Sequence, residues 1–394
     1  MFLYNLIETN SSSKCIKTTK NYTVMKKNYT SIRKLIPIII LALFALILIS
    51  ACGPVKKNAT GLEDEIFVIA DSVEFEELEA SLLQVFSKII YTPQPEKLFR
   101  LTRKSINQIE SLKKKKNVII AAPLNSGSLT SNYINGLLNP EVKKIVEQDS
   151  AYVFNKYDLW ANDQLVMVLT SPTIEQLNKN ILNGHENLIH NFQTISDKRL
   201  FKSLYNAKYE RKDLEAQILR DHGWILYVQA DYLLAMNKPE DNFVWLRRAV
   251  NTDMERWIFA YYIENASPVY LNADSIQVIR NRVTEKYYRS SDNQSFVEIS
   301  DDYKTTNEVN FLGRYALLTQ GLWRMSDKTM GGPFLSYTFY DEDTKRIYML
   351  DGSLYAPKYE KKSIIQQLDV TLSSFMTKKD MSEEKIEELM DELD

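Results

Sequence analysis

The feature that most narrows the folds open to this chain is an unbroken apolar run, Leu35 to Ile49, set between a basic stretch and a cysteine. Lys26, Lys27, Arg33 and Lys34 precede it, and Leu48-Ile49-Ser50-Ala51-Cys52 closes it. As a helix the run rises only about 22 Å, short of a hydrocarbon core of roughly 30 Å. Charged, apolar and small-residue zones in that order make a signal peptide over 25–51. Its ending resembles a bacterial lipobox, in which the cysteine is lipidated and opens the mature chain. Residues 1–24, upstream of Met25, read as a start-site extension. The expectation is attachment to a membrane through a lipid on Cys52, with the fold built from the residues beyond it.

That body has to fold by packing. The chain has two cysteines, Cys15 in the leader and Cys52 in the lipobox, so the body has neither a disulfide framework nor a thiolate zinc site. A chain of this length buries enough apolar surface without them. Of 49 basic and 51 acidic residues, seven basic and one acidic precede Cys52, which leaves a net charge of −8. That balance argues against nucleic acid as a partner. Much of the excess lies in the last 14 residues, Met381 to Asp394, with seven acids against one lysine.

Residues 52–63 are polar with Gly and Pro, a tether. Glu65 to Ala70 reads as a strand, and Phe75, Leu78, Leu82, Val85, Phe86 and Ile89 as the face of a helix capped by Asp71 or Ser72. Strands come next at Leu98 to Arg103 and Asn117 to Ala122, with Lys113 to Lys116 between them as a solvated helix end. Helical patterns cover 130–148, 173–194 and 197–220, around a hairpin of Tyr152 to Trp160 and Gln164 to Thr170. Beyond Gly223 come aromatic-rich strands at Trp224 to Ala235, Phe243 to Val250 and Arg256 to Glu264, then a helix from Leu271 to Tyr287. Leu312 to Met325, Phe334 to Tyr340 and Ile347 to Leu350 read as strands joined by turns, and Tyr359 to Phe375 as a closing helix. The fold class expected is α+β. It comprises two similarly organised halves, 64–205 and 206–375, each a mixed or antiparallel sheet with helices packed on one face. Asp158-Leu159-Trp160 and Gly321-Leu322-Trp323 are a faint echo between them. Ile386, Leu389, Met390 and Leu393 form one stripe of an acidic amphipathic tail, 376–394, too short to hold as an isolated helix and expected to be mobile.

Several stretches carry a resemblance to a known family. They are Pro93-Gln94-Pro95-Glu96-Lys97-Leu98-Phe99, Asp241-Asn242-Phe243-Val244-Trp245-Leu246-Arg247, Gly321-Leu322-Trp323, Met330-Gly331-Gly332-Pro333-Phe334 and Asp351-Gly352-Ser353-Leu354-Tyr355-Ala356-Pro357. By these the chain resembles the uncharacterised Bacteroidota lipoprotein family, domain of unknown function 4837, over roughly 60–375. The resemblance implies a signal-anchored envelope protein and brings no catalytic residues with it. Gly53 after the cysteine resembles an outer-membrane sorting pattern. Lys56 and Lys57 stand where surface-exported lipoproteins tend to carry acids. Together these place the expected address at the periplasmic face of the outer membrane.

Motifs that carry chemistry are scarce. His185 and His190 are five residues apart, about 140° around a helix, where a zincin helix needs four. His222 precedes Gly223 at a helix end, a position suited to an imidazolium. No G-x-S-x-G elbow, P-loop or dinucleotide fingerprint occurs. Asn125-Ser126-Gly127-Ser128 reads as a turn, with a nucleophile loop or anion nest as its functional alternative. The densest unusual constellation is Trp323, Arg324, Gly331, Gly332 and Tyr337, read either as a ligand or partner surface or as a hairpin whose glycines satisfy the backbone. Trp245 and Arg247 share one strand face, read either as a clasp for an anionic or carbohydrate ligand or as an Arg stacked on an aromatic edge for stability. No catalytic residue, metal or cofactor is nominated. The function expected is a lipid-anchored envelope protein, a non-catalytic binding or assembly module with an envelope protein or glycan as partner. The alternative is an enzyme acting on envelope polymers such as peptidoglycan or glycan.

Overall fold

The computed structural model describes residues 56–92 and 94–393. Cys52, the signal peptide and the start of the tether lie outside the described residues. From Lys57 onward the chain forms one compact unit built on two main sheets.

The first sheet has five strands: β1 (Glu65–Ile69), β2 (Arg100–Lys104), β3 (Asn117–Ala121), β4 (Val153–Tyr157) and β5 (Leu165–Leu169). Their order is β2-β1-β3-β5-β4. All pairs are parallel except the edge hairpin of β4 with β5. Parallel strands need crossovers, and the helices supply them. One face packs under α1 (Ser72–Phe86), α4 (Ile174–Asn183) and α5 (His185–Leu204), where Leu78, Leu82, Leu177, Leu188 and Phe192 meet Ile66, Val68, Ile119 and Met167. The opposite face presents Phe67, Ile69, Val118, Ile120 and Val166 to Ile134 of α2 (Leu129–Leu137) and Val146 of α3 (Pro140–Glu147). Side-chain caps start these helices: Ser128, Asn139 and Thr173 each accept a backbone N–H, and Pro140 opens α3.

The second sheet has eight strands, all antiparallel. They are β6 (Tyr232–Lys238), β7 (Phe243–Arg248), β8 (Glu255–Ile263), β9 (Val297–Ile299), β10 (Thr305–Phe311), β11 (Arg314–Met325), β12 (Gly331–Asp341) and β13 (Arg346–Tyr355). The order is β9-β11-β12-β13-β8-β7-β6, with β10 also on β11. One face carries Val244, Leu246, Ile258, Leu335, Phe339 and Leu350 beneath α6 (Lys212–His222) and α8 (Lys362–Leu372). The other carries Phe243, Trp245, Trp257, Phe259 and Trp323 beneath α7 (Ala273–Tyr287).

The α+β class is as expected, with two corrections to the arrangement within it. Helices cover both faces of each sheet, because β1, β3, β5 and the central strands of the second sheet are buried on both sides. Nor are the halves alike, since one sheet is mostly parallel and the other entirely antiparallel.

The tail is a further correction. Ser382 caps α9 (Glu383–Asp391), whose Leu389 is fully buried against Ala216, Leu219 and Ile225. Lys385 pairs with Glu210 at 3.0 Å, and Lys212 with Glu388. A short helix gains its stability from such docking rather than from its own propensity. Leu389→Ala is expected to cost about 2 kcal/mol in urea denaturation. A change within about 0.5 kcal/mol, the scale of an ordinary surface substitution, would mean that the stripe carries no packing.

Candidate functional site

Helix α8 belongs by sequence to the second half and by contact to both. The Glu96 carboxylate, from a small hairpin of Ile89–Tyr91 with Pro95–Lys97, accepts the backbone N–H of Lys361 at 2.7 Å and of Lys362 at 3.0 Å. A carboxylate suits a helix N-terminus, where free N–H groups and the dipole both favour it. The Lys362 ammonium donates to the Leu98 carbonyl and lies 4.5 Å from the Phe99 ring centre. One turn further on, the Gln366 amide donates to Ser196 Oγ at 3.1 Å and Asp197 Oδ1 at 2.7 Å, both on α5.

These contacts leave a cleft of about 770 Å³ between α5, α8, the small hairpin and the sheet edge of β10, β11 and β12. Two carboxylates line it, Asp197 on α5 and Asp369 on α8. Burial pushes Asp369 up to about 6; the Tyr337 hydroxyl donates to it at 2.6 Å and opposes the shift, while the charge of Asp197 adds to it. Asp197 is likewise raised, chiefly by burial, with the Gln366 bond opposing. The Tyr337 phenol moves upward, first through burial and then through the neighbouring Asp369 charge. Around the acids stand Gln193, Gln320, Thr194 and Thr305. At the rim Tyr91 of the first half stacks on Tyr303 of the second, ring centres 4.6 Å apart, with both about half exposed. Two titratable groups shifted in one concave site form the arrangement by which functional sites are recognised.

Of the residues nominated from sequence, Tyr337 reaches this cleft through Asp369. The rest lie elsewhere. Trp323 is buried on the opposite face, its indole N–H donating to the Leu354 carbonyl at 3.1 Å. Trp245 packs on Tyr288 in the same aromatic layer, and Arg247 pairs with Glu255. Arg324 pairs with Glu298 at 2.9 Å. Gly331 and Gly332 sit in β12, and a Cβ on Gly332 would stand 2.0 Å from the Leu354 carbonyl oxygen, so strand contact demands glycine there. His222 is buried between Tyr262 and Asn237; burial pulls its pKa down, which favours a neutral imidazole over the expected imidazolium. Among the described residues no group of three or more His, Cys, Asp or Glu is placed to hold a metal, and no helix is long and apolar enough to cross a membrane.

The fold and cleft thus define an α+β protein in which two differently built halves share one helix and enclose a site with apolar walls and two carboxylates. Residues 211–374 match the family model described as Domain of unknown function (DUF4837), which bears out the resemblance for that span. Residues 59–205 match a different model, Domain of unknown function (DUF8532), so the motif Pro93 to Phe99 falls outside the first family. No curated protein matches the chain.

Proposed function

We propose that the chain is a lipid-anchored protein of the cell envelope, held through Cys52 at the periplasmic face of the outer membrane, and that it is a non-catalytic module binding a glycan in the cleft. The anchoring rests on the apolar run and Ser50-Ala51-Cys52. The observation that carries the ligand reading is the lining. A sugar presents apolar ring faces and a rim of hydroxyls that both donate and accept. Exposed tyrosines suit the faces; Gln193, Gln320 and Gln366 donate and accept, and Asp197 and Asp369 accept. Binding without turnover is favoured because Tyr337 and Gln366 already engage the two carboxylates.

The alternative, hydrolysis of an envelope polymer, draws on a specific observation. A carboxyl held up to about 6 beside a second carboxyl is the condition of a general acid. Retention on insoluble peptidoglycan and neutral glycans discriminates the two readings. Asp197→Asn and Tyr91→Ala are expected to lower retention about tenfold, a loss of roughly 1.4 kcal/mol, with no release of reducing ends. Steady release abolished by Asp369→Asn would replace the binding module with a hydrolase, and retention unchanged in both variants would remove the cleft as the site. Cys52→Ala is expected to leave the membrane fraction; a variant that stays there after signal cleavage would contradict lipid anchoring.

A further inference from the structure

The cleft continues past Asp197. A shallower groove of about 950 Å³ runs along the N-terminal half of α5, past Asn183, His185 and Asn187, and shares Lys88, His190 and Gln193 with the cleft. Pockets for single small ligands span roughly 300–1,000 Å³. The cleft already provides that, so the groove adds room that a lone sugar leaves empty. The two ends also differ in charge. The inner end holds Asp197 and Asp369 with one ammonium, Lys362, which is bound to the Leu98 carbonyl, and the junction with the groove holds the exposed Lys88 ammonium. Glu186, the acid of that stretch, has a side chain 93% exposed to solvent. A cation at the junction meets an anionic group at short range, as in other charge-assisted contacts.

Building on the glycan reading, we propose that the ligand is a linear oligosaccharide several units long. Its inner units occupy the cleft, and a carboxylate-bearing unit further along meets Lys88. Neutral inner units suit the inner end, because an anionic sugar there would face two carboxylates against one ammonium, Lys362, already engaged by the Leu98 carbonyl. The chain enters along α5 and stops against the wall formed by α8 and β12.

Isothermal titration with two series of soluble oligosaccharides of increasing length, one neutral and one carboxylated, tests this on the whole mature chain. Affinity is expected to rise about tenfold or more from the shortest to the longest member. Carboxylated chains long enough to reach Lys88 should bind several-fold tighter than neutral ones. Lys88→Ala should erase that preference; Lys88 is exposed, and its backbone carbonyl, which accepts the Leu98 N–H, is kept by the substitution. Affinity independent of length overturns the proposal while leaving glycan binding intact. A carboxylate preference that survives Lys88→Ala removes the assigned contact. Absence of binding across both series overturns the glycan reading and this proposal together.

Discussion

Replacing Asp351 with alanine is expected to lower folding stability by about 3–5 kcal/mol, the scale on which a buried charge loses its partner. Arg280 on α7 and Asp351 on β13 are both fully buried. Arg280 Nε donates to Asp351 Oδ2 at 2.7 Å and Nη2 to Oδ1 at 3.3 Å, and Ser353 Oγ bridges the pair at 3.1 and 2.7 Å. The guanidinium also lies 3.9 Å from the Phe334 ring centre. Without Asp351 it would keep its charge in the apolar layer between α7 and the sheet, with Ser353 as its remaining side-chain hydrogen-bond partner. Losing one partner and losing both have unequal costs. Replacing both, Arg280→Met with Asp351→Leu, removes the charge as well as the attraction, and is expected to return most of the loss. Urea denaturation read at constant slope measures both. A loss below about 1 kcal/mol for Asp351→Ala, within the range of a neutral hydrogen bond, would show that water reaches Arg280 and that the pair does not hold α7.

The two sheets show why parts of this fold are legible in the sequence and others are not. Ile66 to Ile69, Val118 to Ala121 and Leu165 to Leu169 are continuous apolar runs, and the strands they predict are present. Continuity without alternation is the mark of a strand covered on both faces. Read that way, these runs point to a parallel sheet between two helical layers rather than to helices on one face. In the second half, Phe243-Val244-Trp245-Leu246 is apolar at every position and again buried on both sides. The strand Thr305–Phe311 escapes the sequence pattern because it is an edge strand with few apolar residues. The helix break expected near residue 196 falls at Gly184 instead, where α4 stops and α5 begins.

The site is less legible still. Asp197 and Gln366 are ordinary polar residues of amphipathic helices until the fold brings them together across 169 positions. Tyr337 stands out in the sequence because it follows a glycine-rich strand start, a local signal. The tail's stripe is equally plain at Ile386, Leu389, Met390 and Leu393, but its receptor on α6 lies far away in sequence. Local pattern reveals that a surface wants a partner; it does not say which surface answers.

Stability is expected to fall as pH rises from about 5 to 8, and Glu215→Gln to remove much of that slope. Glu215 lies on α6, 1% exposed, its Oε1 accepting the Val228 N–H at 2.9 Å. Burial pushes its pKa from 4.5 up to about 8; the Val228 bond opposes this, the Glu210 charge adds to it, and Lys385 of the docked tail opposes it again. Proton counts set the sign. Between about 4.5 and 8 the unfolded chain has released a proton that the native chain still holds, so stability declines with rising pH across that window. Asp369, raised from 3.8 to about 6, acts in the same direction over the lower part of it. His222, whose pKa burial lowers from 6.5, acts oppositely over the lower part of the window, and Asp341 and Asp380, whose pKa values are lowered, act oppositely only in more acidic solution. At pH near 8 the neutral amide should be more stable than wild type by on the order of 3 kcal/mol, since each pKa unit corresponds to about 1.4 kcal/mol and relaxation recovers part of the total. Gln keeps the acceptor for Val228 and offers an N–H towards Glu210, so packing is preserved. Lys385→Ala removes the opposing ammonium and is expected to carry the decline to higher pH. Denaturation midpoints at several pH values decide the matter: parallel slopes for wild type and Glu215→Gln would mean that another group holds the proton.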